Sequence, residues 1–296
     1  MEDRLLFLGV DGGGTQCRAR LCDSSGLVLG VGVAGPANVR LDLDESFKSV
    51  LDATGQCLAD AGLTVGSRPI VACLALAGAT EPRELEAARR YRHPFRQMIV
   101  TTDAHAACIG AHRGRDGGVV VVGTGTVGWG VLGGRHYRVG GWGFPVSDEG
   151  SGAWLGCEAV RRTLWAYDGR TPWTALLGDV FAEFQSDPHA IVRWMGTARP
   201  RDFARLAPLV LRSVQQSDPV GCELMRSAAG YVDALAARLG ALGVPRLALT
   251  GGLSSSLAPW LSPETRQQLV PAAADALAGA LRLAQAQVQP AMHANG

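Results

Sequence analysis

Residues 6–30 have the sequence LFLGVDGGGTQCRARLCDSSGLVLG, in which three apolar runs are separated by a glycine-rich loop ending at Thr15 and by a DSSG turn. Short apolar runs bounded by Gly, Asp and Ser predict three strands joined by tight turns. The same order returns at residues 119–141, VVVVGTGTVGWGVLGGRHYRVGG, where a GTGT loop ends at Thr126. The repeat predicts a duplicated architecture, in which two halves of the chain begin alike.

Strands and helices alternate after the first of these segments. The apolar spacing predicts a helix, a strand, a helix and a strand, at residues 44–61, 70–77, 82–92 and 98–102. Such alternation predicts that the sheet continues with parallel strands. Beyond residue 153 the pattern is mainly helical, with one strand at 246–250 and a closing helix at 273–286.

The composition excludes several classes of protein. The chain has 296 residues, 47% hydrophobic and 19% charged, which is typical of a globular protein of about two domains. Its net charge is +1, so no strong field attracts a nucleic-acid backbone or an anionic membrane. Lys48 is the only lysine, and the residues around it match neither a Walker A loop, nor the strand lysine of a protein kinase, nor a Schiff-base lysine.

The cysteines and histidines give no sign of a metal site. Seven cysteines form no C-x-x-C pair and lie mostly in apolar runs, which is typical of buried free thiols. The six histidines lack metal-ligand spacing, and we expect them at the surface or as helix caps. An odd number of cysteines and an N-terminus without a secretory leader predict a reducing, cytoplasmic location, and no apolar stretch is long enough to span a membrane.

The first glycine-rich loop carries a chemical signal. It consists of Asp11, Gly12, Gly13, Gly14 and Thr15. Glycines let backbone N–H groups approach an anion, and the threonine hydroxyl adds a donor, although a plain glycine hairpin is equally compatible with this loop alone. The matching loop of the repeat consists of Gly123, Thr124, Gly125 and Thr126. This second loop favours phosphate binding, because two such hairpins would clamp a polyphosphate.

Asp11 ends the first strand beside these glycines. A carboxylate at this place can share a hard cation with phosphate oxygens, which predicts a magnesium ion at Asp11. The alternative is a carboxylate that bonds to its own turn, as is common where Asp precedes Gly. The magnesium prediction depends on phosphate binding by the loop.

Two further positions follow predicted strands. Asp103 ends the strand at 98–102 and begins a helix, at the edge where open α/β sheets place their ligands. It is a helix N-cap, a ligand-facing carboxylate, or both. Gly251 and Gly252 follow the strand LALT, where a glycine pair forms either a flat surface for a nucleotide or an ordinary turn.

Taken in order, GVDGGGT, VVVVGTGT and LALTGG resemble the phosphate-1, phosphate-2 and adenosine motifs of the sugar kinase, actin and Hsp70 superfamily. Within it, the chain is most similar to the N-acetylglucosamine kinase and BadF/BadG family. The matching motifs are GPANV (35–39), LALAGA (74–79), TTDAHAA (101–107), GGWGFPVSDEGSGAWLG (140–156) and DALAGAL (275–281).

This resemblance implies an α/β fold of two ribonuclease H-like domains around a nucleotide cleft, the actin-like ATPase fold. We expect the N-terminal domain, with the sugar and phosphate-1 loops, at residues 1–115. The C-terminal domain, with the phosphate-2 and adenosine loops, is expected at residues 116–296.

The same resemblance assigns roles to single residues. Asp103 becomes the catalytic base that takes the proton of a sugar hydroxyl. ATP and Mg²⁺ are the implied cofactors, held by the two phosphate loops, by Asp11, and by Gly251 and Gly252. The implied sugar-binding residues are Asn38, Gly78, Asp103, Gly141, Trp142 and Asp148. Among these, the Asp148 carboxylate is expected to accept hydrogen bonds from sugar hydroxyls.

One departure from the family pattern concerns the phosphates. Gln16 and Cys17 follow the first loop, where the family often has a lysine or a threonine. This departure weakens the expectation of direct cationic help to the phosphates, for which magnesium would have to compensate.

The implied activity is that of an ATP-dependent kinase that phosphorylates the 6-hydroxyl of N-acetylglucosamine or glucosamine. A homodimer is the expected assembly, and neither nucleic acid nor a membrane is an expected partner.

One alternative is a BadF-type ATPase that activates a 2-hydroxyacyl-CoA dehydratase, but Cys108 and Cys157 do not stand in the cluster-binding motifs that it needs. Another is a non-catalytic sugar-binding member. Repressors of that kind carry a helix-turn-helix ahead of the first loop, and the residues before Gly9 leave no room for one.

Overall fold

The computed structural model of the chain describes residues 5–288, which divide into two units. The strands are β1 (Leu6–Gly12), β2 (Cys17–Cys22), β3 (Val28–Ala34), β4 (Ile70–Leu76), β5 (Gln97–Thr102), β6 (Gly117–Val122), β7 (Thr126–Leu132), β8 (Arg135–Gly140) and β9 (Leu247–Thr250).

The helices are α1 (Leu43–Asp60), α2 (Pro82–Arg90), α3 (Asp103–His112), α4 (Gly152–Tyr167), α5 (Ala175–Ala182), α6 (Pro188–Met195), α7 (Pro200–Ala204), α8 (Ala207–Gln215), α9 (Pro219–Ala241), α10 (Ser254–Leu257), α11 (Pro263–Gln268) and α12 (Ala276–Ala286). A short 3-10 turn, Ala258–Trp260, follows α10. None of the helices within residues 5–288 combines the length and the apolarity needed to cross a membrane.

The first unit is built on a five-stranded sheet in the order β3-β2-β1-β4-β5. β1, β2 and β3 are antiparallel, whereas β4 and β5 continue the sheet parallel to β1. Alternate residues of β1 enter two different cores: Leu8 packs in the layer that contains Phe47 of α1, and Phe7 packs in the layer that contains Leu281 of α12. Because both faces are covered, β4 is buried along its whole length, as parallel strands usually are.

The second unit is built on a four-stranded sheet in the order β8-β7-β6-β9, in which β9 lies parallel to β6. Helices α4 to α9 supply most of the rest of its core. Leu155 of α4, Leu176 of α5 and Leu224 of α9 are fully buried in one cluster with Val120 of β6. The predicted repeat and the mainly helical second half are therefore confirmed, and the predicted elements differ from the observed ones by only a few residues at their ends.

The domain boundaries differ from the prediction at the C-terminus. The first unit comprises residues 5–117 and 271–288, and the second comprises 118–270, whereas residues up to 296 were assigned to the second domain. Helix α12 packs against α3 and β1: a Cβ added to Gly279 would lie 1.9 Å from the Ala106 carbonyl oxygen. Helical periodicity predicts an apolar face but not which sheet that face covers. The ends of the two predicted domains, 1–4 and 289–296, lie outside the described residues.

The burial of the cysteines is as predicted from the sequence, whereas the burial of one histidine is not. All seven cysteines are free, and burial raises the pKa of Cys17, Cys57 and Cys73 to about 12, so that these thiols are unreactive. His112 was expected at the surface or as a cap, but it is only 2% exposed. Its ring packs against Gly117, where an added Cβ would lie 2.5 Å from the His112 Cδ2.

Candidate functional site

Three parallel strands of the first unit end side by side. In the sheet register, Gly12 of β1 pairs with Leu76 of β4, and Leu76 pairs with Thr102 of β5. The residues after these three positions therefore emerge at one edge of the sheet, which is where open α/β sheets place ligands. This edge brings together the first glycine loop, Gly78 and Asp103.

The first glycine loop is held by its neighbours' backbone. The N–H of Ala37 donates to the Gly13 carbonyl at 2.9 Å, and the N–H of Ala77 donates to the Gly12 carbonyl at 2.7 Å. A Cβ added at Gly12 would lie 2.7 Å from Leu76 Cδ2 and 2.8 Å from Ala37 Cβ. The glycine is thus required by packing. The GPANV and LALAGA motifs, which contain Ala37 and Ala77, hold the loop through these two hydrogen bonds.

Asn38 and Gly78 are in direct contact. Asn38 forms a parallel bridge with Ala77, and its side-chain Oδ1 accepts the Arg40 N–H at 3.2 Å. Gly78 has φ = +77°, and a Cβ there would lie 2.3 Å from Asn38 Oδ1. The glycine leaves room for the amide oxygen, so these two predicted sugar residues form one local structure. Their binding role stays a prediction.

Asp103 is the first residue of α3, but it is not the cap. Thr102 takes that place: its Oγ1 accepts the His105 N–H at 3.0 Å. Asp103 Oδ1 accepts the N–H of Ala104 at 2.8 Å. The N-cap interpretation of Asp103 was therefore wrong, because the preceding threonine satisfies the donor.

An arginine pairs with the carboxylate that was predicted to hold magnesium. Asp11 and Arg18 are opposite each other in the antiparallel β1–β2 ladder, and Arg18 Nη2 lies 2.5 Å from Asp11 Oδ2. This hydrogen bond is the main cause of the raised pKa of Arg18. Arg18 and Arg20 also approach Asp275, the cap of α12, at 4.0 and 3.9 Å.

Sequence reasoning missed this arginine, because it looked for a cation only at the two positions directly after the loop. The signal was present in CRARLC, the sequence of β2, where Arg18 and Arg20 alternate with buried residues and share one face. An arginine directly across from an aspartate on the neighbouring strand favours an ion pair. A guanidinium therefore does lie beside the first loop.

The second glycine loop lies against the N-terminus of α4. The first two N–H groups of this helix donate to the loop: Gly152 N–H to the Gly123 carbonyl at 2.8 Å, and Ala153 N–H to the Thr124 carbonyl at 3.2 Å. Thr126, which ends the loop, is 3% exposed, and its Oγ1 is buried without a hydrogen-bond partner. A buried orphan hydroxyl is costly unless a ligand satisfies it.

The late glycine pair follows β9, and Gly251 packs against Val122, the last residue of β6. Gly251 has φ = +95°, and a Cβ there would lie 2.3 Å from the Val122 carbonyl oxygen. The N–H of Leu253 donates to that same carbonyl at 3.0 Å. The preceding residue, Thr250, has a buried Oγ1 without a hydrogen-bond partner, which the sequence did not single out. Gly252 has open space around it.

Asp148 packs against the second glycine loop. Its carboxylate accepts backbone N–H groups of Phe144, Gly143 and Thr126, yet burial outweighs these bonds and raises the pKa of Asp148. The residue has φ = +68°, and a Cβ added at Gly125 would lie 2.8 Å from Asp148 Oδ2. This internal role was not predicted. Hydrogen bonding of Asp148 to a sugar stays a prediction.

Gly141 and Trp142 lie in the segment after β8. Gly141 has φ = +67°, and a Cβ there would lie 2.6 Å from Val127 Cβ, so the segment passes very close to β7. Trp142 is 65% exposed. This exposure excludes a core position for the indole, and a ligand contact stays predicted.

The donors suit a nucleotide and a hard cation. Two buried hydroxyls without partners, at Thr126 and Thr250, and the backbone of two glycine loops can donate to phosphate or ribose oxygens. Asp11 supplies a carboxylate of the kind that Mg²⁺ prefers. Residues 5–288 contain no group of three or more His, Cys, Asp or Glu that could enclose a metal. A cation shared with the phosphates of a nucleotide needs no such group.

Comparison with known proteins agrees with this geometry. The glucosamine kinase GspK of Vibrio cholerae is 37% identical over 279 residues, which cover 94% of this chain and 95% of that protein. An N-acetylmuramic acid/N-acetylglucosamine kinase of Clostridium acetobutylicum is 30% identical over 230 residues and 75% of each chain. A crystal structure from Chromobacterium violaceum, provisionally described as an N-acetylglucosamine kinase, matches with a TM-score of 0.88 and 36% identity over 94% of this chain and 98% of that one.

These similarities confirm the expected α/β class, with two ribonuclease H-like units of the actin-like ATPase type. The family model of the BadF/BadG/BcrA/BcrD ATPases matches residues 8–284, which is nearly all of the sequence. The chain belongs to the BadF/BadG/BcrA/BcrD ATPase family.

Proposed function

We propose that this protein is an ATP-dependent amino-sugar kinase that phosphorylates the 6-hydroxyl of glucosamine or N-acetylglucosamine. The observation that carries the proposal is the edge of the first sheet, where Asp103 emerges beside the Gly12 loop and the Asn38–Gly78 pair. A chain with this edge that is also 37% identical to a glucosamine kinase over 94% of its length is best explained as a sugar kinase.

Asp103 is the proposed general base. The sugar hydroxyl attacks the γ-phosphorus of ATP, so that a sugar O–P bond forms while the bond to the β-phosphate oxygen breaks and ADP leaves. The hydroxyl proton passes to the Asp103 carboxylate. The hydrogen bond from the Ala104 N–H holds Asp103 Oδ1 at 2.8 Å and fixes the direction of the carboxylate.

The nucleotide is assigned to the glycine loops. In the first unit, the backbone of Gly12–Thr15 and the Asp11 carboxylate would hold the phosphates and magnesium, which neutralises charge on the phosphate oxygens when bound. In the second unit, Thr126 supplies a buried hydroxyl to a phosphate, and the backbone of Gly251 and Gly252 lies against the adenosine.

The sugar is assigned to the polar groups that the family resemblance indicates. Asn38, kept in place by Gly78, offers its amide, and the segment with Gly141 and Trp142 offers an exposed indole. Asp148 already accepts backbone N–H groups, but a carboxylate has about four acceptor positions, so it retains capacity for a sugar hydroxyl.

The dehydratase-activator function is not favoured. Cys108 is buried, and its thiol donates to the Gly117 carbonyl at 3.2 Å. Burial also raises the pKa of Cys157, which disfavours the thiolate that a cluster iron requires.

We further infer that the protein is cytoplasmic, forms a homodimer and uses Mg²⁺. Light scattering of the purified protein would test the homodimer, and a metal titration of ATP turnover would test the use of Mg²⁺.

The test is an ADP-release screen of hexoses, hexosamines and N-acetylhexosamines, with the phosphorylated position located by NMR. We expect turnover that requires an amino sugar and gives the 6-phosphate. Asp103→Asn should lower kcat by about 10²- to 10⁴-fold and leave ATP affinity unchanged. Asp179→Asn, an exposed position on α5, is the control and should behave as wild type. ATP turnover that is indifferent to every sugar would contradict the proposal.

A further inference from the structure

One arginine of β8 contacts three consecutive residues of the segment that follows it. Arg138 Nε donates to the Gly140 carbonyl at 3.0 Å, and Nη2 donates to the Gly141 carbonyl. Its Cζ lies 4.2 Å from the centroid of the Trp142 ring, in a cation–π arrangement. The planar guanidinium therefore binds two carbonyls and stacks on an indole at the same time, which an ammonium cannot do.

The segment needs such support. Gly140, Gly141 and Gly143 all have positive φ, at +68°, +67° and +109°, and glycines lose more conformational freedom than other residues when they are ordered. From the other side, the Trp142 N–H donates to Ser147 Oγ at 3.3 Å. Trp142 is thus fixed through both its ring and its backbone.

The fixed indole is not part of a core. Trp142 is 65% exposed, so most of its apolar surface remains in contact with solvent. Ordering a large aromatic side chain at the surface gains little from burial, so burial alone does not explain why this indole is held in place. An ordered indole that is largely exposed is typical of a ligand platform.

We propose that Arg138 is a positioning residue for the sugar, which holds the Trp142 indole as a rigid platform for the apolar face of a pyranose ring. The inference rests on the proposed function, in which Trp142 contacts the amino sugar. Arg138 itself need not touch the sugar; it acts by keeping the indole in its binding orientation before the sugar arrives. Because only the sugar contacts the indole in this proposal, such preorganisation should improve affinity for the sugar and not for ATP.

The experiment uses Arg138→Met, Arg138→Lys and the control Arg135→Met, an exposed arginine on the same strand. Arg138→Met keeps the length of the side chain but removes the cation and its donors. We expect its KM for the amino sugar to rise about three- to tenfold, with the KM for ATP unchanged. Arg138→Lys should lie between Met and wild type, because it keeps the charge but loses the planar fork.

A second readout follows the indole directly. The emission of Trp142 is obtained by subtracting the spectrum of Trp142→Phe in each background, with acrylamide as the quencher. We expect quenching of Trp142 to increase in Arg138→Met, since the covered face becomes accessible, and wild-type quenching to decrease when the amino sugar is added. Arg135→Met should match wild type in both readouts.

The outcomes separate this inference from the proposed function. If wild type phosphorylates amino sugars but the sugar KM of Arg138→Met is unchanged, only the role of Arg138 is overturned. A parallel rise of both KM values with a lower melting temperature also overturns it, because that result indicates general damage. If wild type phosphorylates no sugar, the proposed function fails, and unchanged Trp142 quenching on addition of sugar would then overturn the platform as well.

Discussion

The two glycine hairpins occupy the same place in their sheets but differ in chemistry. The loop after β1 lies next to an ion pair, Asp11 with Arg18, whereas the loop after β6 ends at Thr126, a neutral hydroxyl that is buried without a partner. The first loop is held by backbone N–H groups of Ala37 and Ala77, and the second by the N-terminus of α4. The repeat thus copied the strands and turns, but an ion pair lies beside the first loop, whereas a single carboxylate, that of Asp148, lies beside the second.

A second difference concerns how closely two glycines are packed: Gly12 of the first loop, and Gly251, which follows β9 in the second unit. At Gly12 an added Cβ would lie 2.7 Å from Leu76 Cδ2, the end of a flexible side chain, and 2.8 Å from Ala37 Cβ, which moves only with its backbone. At Gly251 it would meet the Val122 carbonyl oxygen at 2.3 Å, which belongs to a strand and cannot shift. We therefore expect an added methyl group to cost less stability at Gly12 than at Gly251.

The largest expected effect tests this difference in packing. Gly251→Ala should lower the free energy of unfolding by about 3 kcal/mol, because it combines a left-handed backbone with a backbone clash. Gly12→Ala should cost about 1–3 kcal/mol. Urea denaturation measures both. Gly252→Ala is the control, since no atom lies within 4 Å of its added Cβ. Equal losses for Gly251→Ala and Gly252→Ala would show that the close contact is absent.

The next effect tests the charge beside the first loop. Arg18→Gln should weaken binding of ATP in the presence of Mg²⁺ by about fivefold, because Asp11, the carboxylate proposed to hold Mg²⁺, loses the arginine that pairs with it. Calorimetric titration of ATP with and without Mg²⁺ measures this. Arg20→Gln, whose nearest carboxylate lies 3.9 Å away, should have a smaller effect. A loss of the same size without Mg²⁺ would mean that Arg18 acts on the phosphates rather than on Asp11.

Thr126→Val tests the buried hydroxyl that ends the second loop. It replaces a buried, unpartnered hydroxyl by a methyl group of similar shape, so the free energy of unfolding should rise by about 1 kcal/mol while ATP affinity falls about three- to tenfold. Thermal unfolding and ATP titration measure the two effects. Thr163→Val is the matched control: its hydroxyl donates to the Ala159 carbonyl at 2.9 Å, so this variant should be destabilised. A less stable Thr126→Val with normal ATP affinity would exclude the proposed hydroxyl donor.

The smallest effect concerns Asp148, which packs against the second loop. Burial raises the pKa of Asp148 above its ordinary range, so the folded protein binds that proton more tightly than the unfolded chain does. The contribution of Asp148 to stability is therefore present at low pH and is lost as pH rises through the folded-state pKa. The stability of wild type relative to Asp148→Asn should fall between about pH 4 and neutral pH, as measured by denaturation at several pH values. A relative gain over that interval would mean that the backbone donors dominate and lower the pKa.

Much of the candidate site could be predicted because it lies in short segments. The glycine loops, Asp103 and the Asn38 motif each follow a strand whose apolar run is visible in the sequence, and parallel strands bring their ends to one edge. Asp148 was found from its motif, but its bonds to Phe144, Gly143 and Thr126 could not be foreseen. They depend on a left-handed backbone that aims the carboxylate inward, away from solvent.

The sequence by itself determined the repeated strand–loop–strand pattern, the positions of the helices and the residue types at the loops, because each of these depends on neighbours a few positions away. Only the tertiary structure decided that α12 joins the first sheet, that Arg18 pairs with Asp11, that Thr102 rather than Asp103 caps α3, and that Arg138 stacks on Trp142. Several groups compete for each of these contacts, and the choice among them depends on packing and distance, which an amino-acid pattern does not contain.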